Sequence, residues 1–399
     1  MKKYFRLVFV IVSCVYLCGL LSGCAGQLPF SGGSGGTIHY AITDDNWKIA
    51  LKRINFGGNG KPPVIMCHGL SYNDRFYGLN PQANLAQYLA NEGYDVWIVS
   101  LRGSGSSTKW AYKMVEHGLE GYQIYKLADE EQWAGAAING IGLLINMAES
   151  QMTNLTADPR YINWVLDDYA DRDIPAVLKY VRSATGQQKV LWVGHSMGGI
   201  IMLIYLINNH DPDIAGLVTV GSQLTMPPGQ VAAAYIQQMQ YLRLMEIAGN
   251  SVEMERAKKI AQETADDLFF NPANRDPQTA AMLHSIGSDT PAVGVLGQYL
   301  ELMASGELKT YDNTFNYAQN ASRVNVPYLM MAGASDQLAP PSTQQFLYNN
   351  VSSSDKTKII LGPQEGFSID YGHNDSIISL RAVQEVYPII SNWLDEHSY

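Results

Sequence analysis

The sequence predicts an α/β fold: a mostly parallel central sheet covered on both faces by helices. Three observations carry this reading. Apolar runs of strand length alternate along the chain with runs of helical length. Several strand runs are apolar at consecutive positions, as in Tyr94-Asp95-Val96-Trp97-Ile98-Val99-Ser100, the pattern of strands buried on both faces. The composition is that of a large packed body, with 399 residues, 46% hydrophobic and 16% charged.

The N-terminus reads as an export signal. Lys2, Lys3 and Arg6 precede the apolar run Leu7 to Leu21. Leu21-Ser22-Gly23-Cys24 then resembles the lipobox at which bacterial lipoproteins are cut and lipidated on the cysteine. By that resemblance residues 1–23 are removed and Cys24 carries the lipid. Ala25 in the next position, where no Asp stands, implies the outer membrane of the cell envelope. Cleavage would leave Cys24 and Cys67 as the mature cysteines, so no intramolecular disulfide is expected. Ser31-Gly32-Gly33-Ser34-Gly35-Gly36 makes 24–36 a flexible tether. The formal net charge is −10, or about −13 once the three leader cations are gone. Without a basic stripe, such a chain is a poor nucleic-acid binder.

The body follows. Strands at 37–41 and 48–54 flank Asp44-Asp45-Asn46 as a hairpin-like pair. Gly57 to Pro62 is turn material without the spacing of a phosphate loop. Strands are expected at 64–67, 94–100, 189–193, 217–220, 328–331 and 358–361. Helices are expected at 84–92, 171–183 and 200–208, with a closing helix near 383–396. The core is thus 37–222 and 327–399, with two long interruptions. Segment 104–163 is one; its run Trp133 to Ala148 holds Asn139 and Asn146 and is too short to span a bilayer. It reads either as a packed helix or as an element that docks on lipid. Segment 223–326 is the other, helix-like throughout and with six methionines, read as a helical cap.

Gly194-His195-Ser196-Met197-Gly198 matches G-x-S-x-G, the nucleophile elbow of the α/β-hydrolase fold. Glycines flank the serine because larger side chains would clash in so sharp a strand-to-helix turn. Gly32-Gly33-Ser34-Gly35-Gly36 matches the same pattern, but only Ser196 stands between an apolar strand and an apolar helix. Serine needs a base, and in this fold the order is Ser, acid, His. Of eight histidines, His210 and His284 precede the late strands and His397 lies in the terminal turn, expected to fray. His373, in a loop before the last helix, remains. Asp336 follows the strand at 328–331 and is the favoured acid, with Asp370 and Asp375 as competitors. The backbone N–H groups of Leu70 and Met197 are the expected oxyanion donors. His68 reads as loop-fixing and His195 as packing beside the elbow.

These pieces together resemble the acid-lipase branch of the α/β-hydrolases, the gastric and lysosomal lipases. The resemblance runs through His68-Gly69-Leu70, Gly93 to Trp97, Arg102-Gly103, 169–175, Thr185-Gly186-Gln187 and Gly194-His195-Ser196. It resumes at Asp336 to Pro340 and His373-Asn374-Asp375. It implies Ser196, Asp336 and His373 as a triad and a carboxylic-ester substrate. Met197 stands where that family usually has glutamine, and 104–163 is longer than the family pattern. The expected chemistry needs no metal or organic cofactor. The expected partners are a hydrophobic ester and a bacterial membrane. The Met-rich cap fits a hydrophobic substrate or an ordinary helical core equally well. Acyl transfer, thioester or amide cleavage, and a silent ligand-binding lipoprotein stay open as alternatives.

Overall fold

The computed structural model describes residues 36–54, 60–108, 164–227, 236, 266 and 268–398. The leader, Cys24 and the tether to position 35 lie outside the described residues. So do 109–163 of the first insertion and nearly all of 228–265 of the second.

One eight-stranded sheet forms the centre. Its strands are β1 (Thr37–Ile42), β2 (Lys48–Ile54), β3 (Val64–Cys67), β4 (Val96–Ser100), β5 (Val190–His195), β6 (Ile214–Val220), β7 (Tyr328–Gly333) and β8 (Lys356–Leu361). The spatial order is β1-β2-β4-β3-β5-β6-β7-β8. The first two strands form the expected antiparallel hairpin, and β2 pairs antiparallel with β4. Every other pairing is parallel. Strands β3, β4 and β5 are buried at each position, which matches their unbroken apolar sequence.

Helices α1 (Leu85–Asn91), α2 (Ile174–Thr185), α3 (Met197–Asn208), α6 (Pro341–Asn350) and α7 (Tyr387–Glu396) pack around the sheet; α4 (Pro277–Ile286) and α5 (Val293–Ser305) belong to the second insertion. Local chemistry marks their ends. Asn84 caps α1 by accepting from Gln87 N–H, and Asp276 caps α4 from Thr279 N–H. Pro175 sits in the first turn of α2, and Gly186 closes it in the left-handed region at φ 68°. Helix α3 is buried from Met197 through Ile207. A helix apolar all round belongs in the interior, and α3 passes directly beneath the site.

The second insertion departs from the expectation of helix throughout. After α5 the chain turns back on itself, Lys309 pairing with Asn316 across Asp312-Asn313, before a short 3₁₀ turn at Ala318–Arg323. The Asp312 carboxylate accepts from Thr314 N–H and the Thr310 hydroxyl accepts from Phe315 N–H there, an alternative that competes with helix.

Candidate active site

Parallel register places the site. Cys67 of β3 lies beside Gly194 of β5, Gly194 beside Thr219 of β6, and Val220 beside Met331 of β7. The residues that leave these strands at their C-terminal ends therefore emerge side by side: Leu70, Ser196, Gly221 and Asp336. Ligand sites of open parallel sheets form at that edge.

Ser196 sits between β5 and α3 at φ 52°, ψ −119°, a left-handed backbone that a non-glycine residue adopts at a cost of about 1–3 kcal/mol. Its neighbours allow the bend. A Cβ at Gly194 would lie 2.4 Å from the Gly199 nitrogen, and one at Gly198 would lie 2.1 Å from the Cys67 carbonyl oxygen. The elbow is held from both sides. Ser196 N–H donates to the Val220 carbonyl at 2.8 Å, and its own carbonyl accepts from the Ser222 hydroxyl at 2.8 Å. Met197 opens α3, where the first N–H groups have no intrahelical acceptor. Gly69 packs against the elbow, with its Cβ position 3.1 Å from Ser196 Cβ, so the loop carrying Leu70 lies alongside.

His373 and Asp336 meet in the interior, their side chains 2% and 0% exposed. The His373 Nδ1–H donates to Asp336 Oδ2 at 2.8 Å. The other carboxylate oxygen accepts from the Leu338 and Ala339 N–H groups at 2.9 and 2.8 Å, which fixes the plane of the acid. Gly221 runs beneath this pair at φ 68°; a Cβ there would lie 3.0 Å from the His373 ring. The acid bonded to the His373 ring is Asp336, not either competitor. Asp375 accepts from Gly372 N–H, Asn271 N–H and the Asn274 amide, bracing the turn on which His373 stands. Asp370 approaches Gly362, beside the end of β8. His284 pairs with Asp266, and His397 bonds Asp355 while stacking on Trp393 at 3.9 Å. The expected fraying at His397 is thus not observed, because Trp393 and Asp355 hold it.

Ser196, His373 and Leu70 share the wall of one small cavity of about 40 Å³. Ile200, Met226, Ile236, Phe269, Met303 and Leu338 make that wall largely apolar.

A family model described as alpha/beta hydrolase fold matches residues 62–363. The chain belongs to the α/β-hydrolase fold family. This α/β-hydrolase is 24% identical to "Lipase lipl-1" of Caenorhabditis elegans, over 88% of its own length and 87% of the relative's. It is 23% identical to the "Gastric triacylglycerol lipase" of Bos taurus, over 90% and 88%. Among solved structures it is similar to an esterase from Exiguobacterium antarcticum, with a TM-score of 0.58 and 17% identity over 90% of this chain and all of that one. A thermophilic esterase from Thermogutta terrifontis gives a TM-score of 0.56 at 14% identity, over 92% and 100%. The two structures show the shared fold.

Tyr77 escapes the sequence reading, while His195 and His68 read there as packing and as loop-fixing. Tyr77 donates its hydroxyl to the Cys67 carbonyl at 2.7 Å and accepts His195 N–H at 3.1 Å, tying β3 to the elbow. No motif marks Tyr77; only the fold brings it there. His195 does more than pack. It stacks on Phe76 at 4.6 Å, and its Nε2 carries the hydrogen donated to the His373 carbonyl at 3.0 Å. Burial, reinforced by the nearby His373 ring, holds the His195 imidazole well below its ordinary range, so the ring stays neutral. Its place beside the serine was the available signal. His68 bonds the Gly69 carbonyl, the Leu101 N–H and Ser104, which holds the strand-end loop.

Proposed function

We propose that this α/β-hydrolase is a serine hydrolase that cleaves carboxylic esters of a hydrophobic, acyl or lipid-like substrate. The buried His373–Asp336 hydrogen bond at 2.8 Å, facing a cavity onto which the strained Ser196 turn opens, carries the reading. Ser196 attacks the ester carbonyl while His373 takes its proton. Asp336 fixes the imidazole tautomer and stabilises the imidazolium. The Leu70 and Met197 N–H groups receive the oxyanion, a contribution of about 3 kcal/mol per donor. His373 then protonates the departing alcohol. Water, activated by the same base, attacks the acyl-enzyme, releases the acid and restores the serine. The apolar cavity wall and the lipase names of the relatives support a lipid-like ester.

The test is labelling with a fluorophosphonate together with turnover of p-nitrophenyl esters. Ser196→Ala is expected to abolish labelling and lower kcat by about 10⁴-fold or more, while Ser34→Ala labels as the parent does. Folded parent protein that neither labels nor turns over any ester in a graded acyl series would sink the reading.

We propose further that Cys24 is lipidated and anchors the chain to the cell envelope. The support is the Lys2-to-Cys24 pattern of charge, apolar run and lipobox-like close. Cys24→Ser is expected to move the protein from the membrane to the soluble envelope fraction. Retention in the membrane would overturn the anchor without touching the catalytic proposal.

A further inference from the structure

One face of the edge strand β1 is apolar and exposed. Ile38, Tyr40 and Ile42 alternate along the strand, so all three point to the same side of the sheet. They are 42%, 46% and 54% exposed. The other side of β1 is packed. His39 lies against Trp97 and bonds the Tyr180 hydroxyl of α2, and Ala41 is buried. Exposed apolar side chains scattered singly are ordinary. Tyr311, Phe346 and Leu380, the other strongly exposed large ones among the described residues, stand on separate segments. Three in one line on an edge strand are different, because such an edge invites association.

The line has a cationic border. Register sets Lys52 opposite Ile38, Ala50 opposite Tyr40 and Lys48 opposite Ile42, and opposed residues of an antiparallel pair share a face. Arg75 is exposed and stands near Lys52, with Asp74 beside them accepting from the Ser100 hydroxyl. The acids of the adjoining turn, Asp44 and Asp45, are paired with Arg172 and Arg102. In a chain of formal net charge −10, an apolar line edged by Lys48, Lys52 and Arg75 is a local exception. Aliphatic side chains, a tyrosine and flanking cations together suit the headgroup layer of an anionic membrane.

Chain length decides which surface is in reach. Gly36 stands twelve residues after Cys24, so a lipid on Cys24 keeps the start of β1 within about 43 Å of the bilayer. We propose that the Ile38, Tyr40 and Ile42 face of β1, bordered by Lys48, Lys52 and Arg75, docks on an anionic phospholipid bilayer and seats the folded body there. This rests on the Cys24 anchor, which supplies the proximity. β1 runs parallel to β4, so its Ile42 end lies on the same rim of the sheet as the Ser196 turn, four strand spacings or about 19 Å away. Docking therefore holds that rim close to a layer that contains hydrophobic esters.

The test uses the full-length protein reconstituted on vesicles of phosphatidylcholine with phosphatidylglycerol, and of phosphatidylcholine alone. A thiol-reactive fluorophore is attached in Tyr40→Cys and, for comparison, in Thr357→Cys on β8 at the opposite edge of the sheet; Cys67 is buried, and labelling of the parent is subtracted. Lipids with a nitroxide near the headgroup quench a fluorophore that touches the bilayer. Strong quenching is expected at position 40 and little at position 357 on the mixed vesicles. Lys48→Gln should lower the ratio of docked to undocked protein about fivefold on the mixed vesicles and leave it unchanged on phosphatidylcholine alone. Ile38→Ser combined with Ile42→Ser should remove the quenching while the thermal midpoint stays, since both side chains are exposed on an edge. Equal quenching at positions 40 and 357 would overturn the docking surface. So would a position-40 fluorophore shielded without lipid, whether by residues 109–163 or, where the shielding depends on protein concentration, by a second copy. Flotation reads the anchor separately. Cys24→Ser that floats as the parent does sinks the anchor and the docking that rests on it, whereas a floating parent left unquenched at position 40 sinks the docking alone.

Discussion

Asp336 illustrates how little freedom a single side chain has in this site. One oxygen holds His373 and the other is held by two backbone N–H groups, so the carboxylate can neither rotate nor accept elsewhere. Asp336→Asn keeps the shape but presents an amide that favours the wrong imidazole tautomer. We expect kcat to fall by about 10³–10⁴-fold with a far smaller change in KM, as read from steady-state ester hydrolysis. Gly221 constrains the same pair from below. Alanine there meets both a left-handed backbone, at about 1–2 kcal/mol, and a Cβ 3.0 Å from the His373 ring. Gly221→Ala should lower kcat/KM and the denaturant midpoint together; an unchanged kcat/KM would show that the ring has room to retreat.

At the scale of elements, the decisive contact is the approach of α3 to β3. Gly198 lets the first turn of the helix come down on the Cys67 carbonyl, and the buried Trp192 indole N–H donates to the Gly198 carbonyl at 3.0 Å. The atoms facing Gly198 are backbone and cannot swing aside. Gly198→Ala should therefore cost at least about 2 kcal/mol in urea unfolding followed by tryptophan fluorescence. A loss within about 0.5 kcal/mol would mean that strand and helix can slide apart, contrary to the close packing described.

Across the whole molecule, Arg102 ties the hairpin, the end of β4 and the lead-in to α2 together. It bonds Asp173 at 2.7 Å and Asp45 at 2.8 Å, with its side chain 2% exposed. Burial pushes the Asp173 carboxyl up, while the guanidinium and its hydrogen bonds pull it back. Arg102→Met would strip the pull and leave a buried carboxylate unpaired, at about 3–5 kcal/mol near neutral pH. The sign of the pH dependence follows. In the variant the folded Asp173 binds its proton more tightly than the unfolded chain, whose value is about 3.9. Its contribution to stability is then greatest below that pH and is lost as pH rises through the folded value. Urea unfolding at pH 5 and pH 7 should show a smaller deficit relative to the parent at pH 5. A deficit independent of pH would remove Asp173 from the explanation.

Much of this was legible in the chain itself because it is governed by short-range chemistry. The two-face burial of strands reads directly from their apolar runs, and the elbow reads from glycines that no other residue can replace in so tight a turn. The order of Ser196, Asp336 and His373 singled out the candidate residues, and helix ends stood within a few positions of their caps. Tertiary structure decided what depends on distance through space. Only the parallel register brought Asp336 rather than Asp370 or Asp375 to the His373 ring, released Asp375 to brace the neighbouring turn, and set Tyr77 between β3 and β5. The exposure of Ile38, Tyr40 and Ile42 is decided in the same way. Alternation says that one face of a strand is apolar, but whether anything covers that face is fixed by elements far away in sequence.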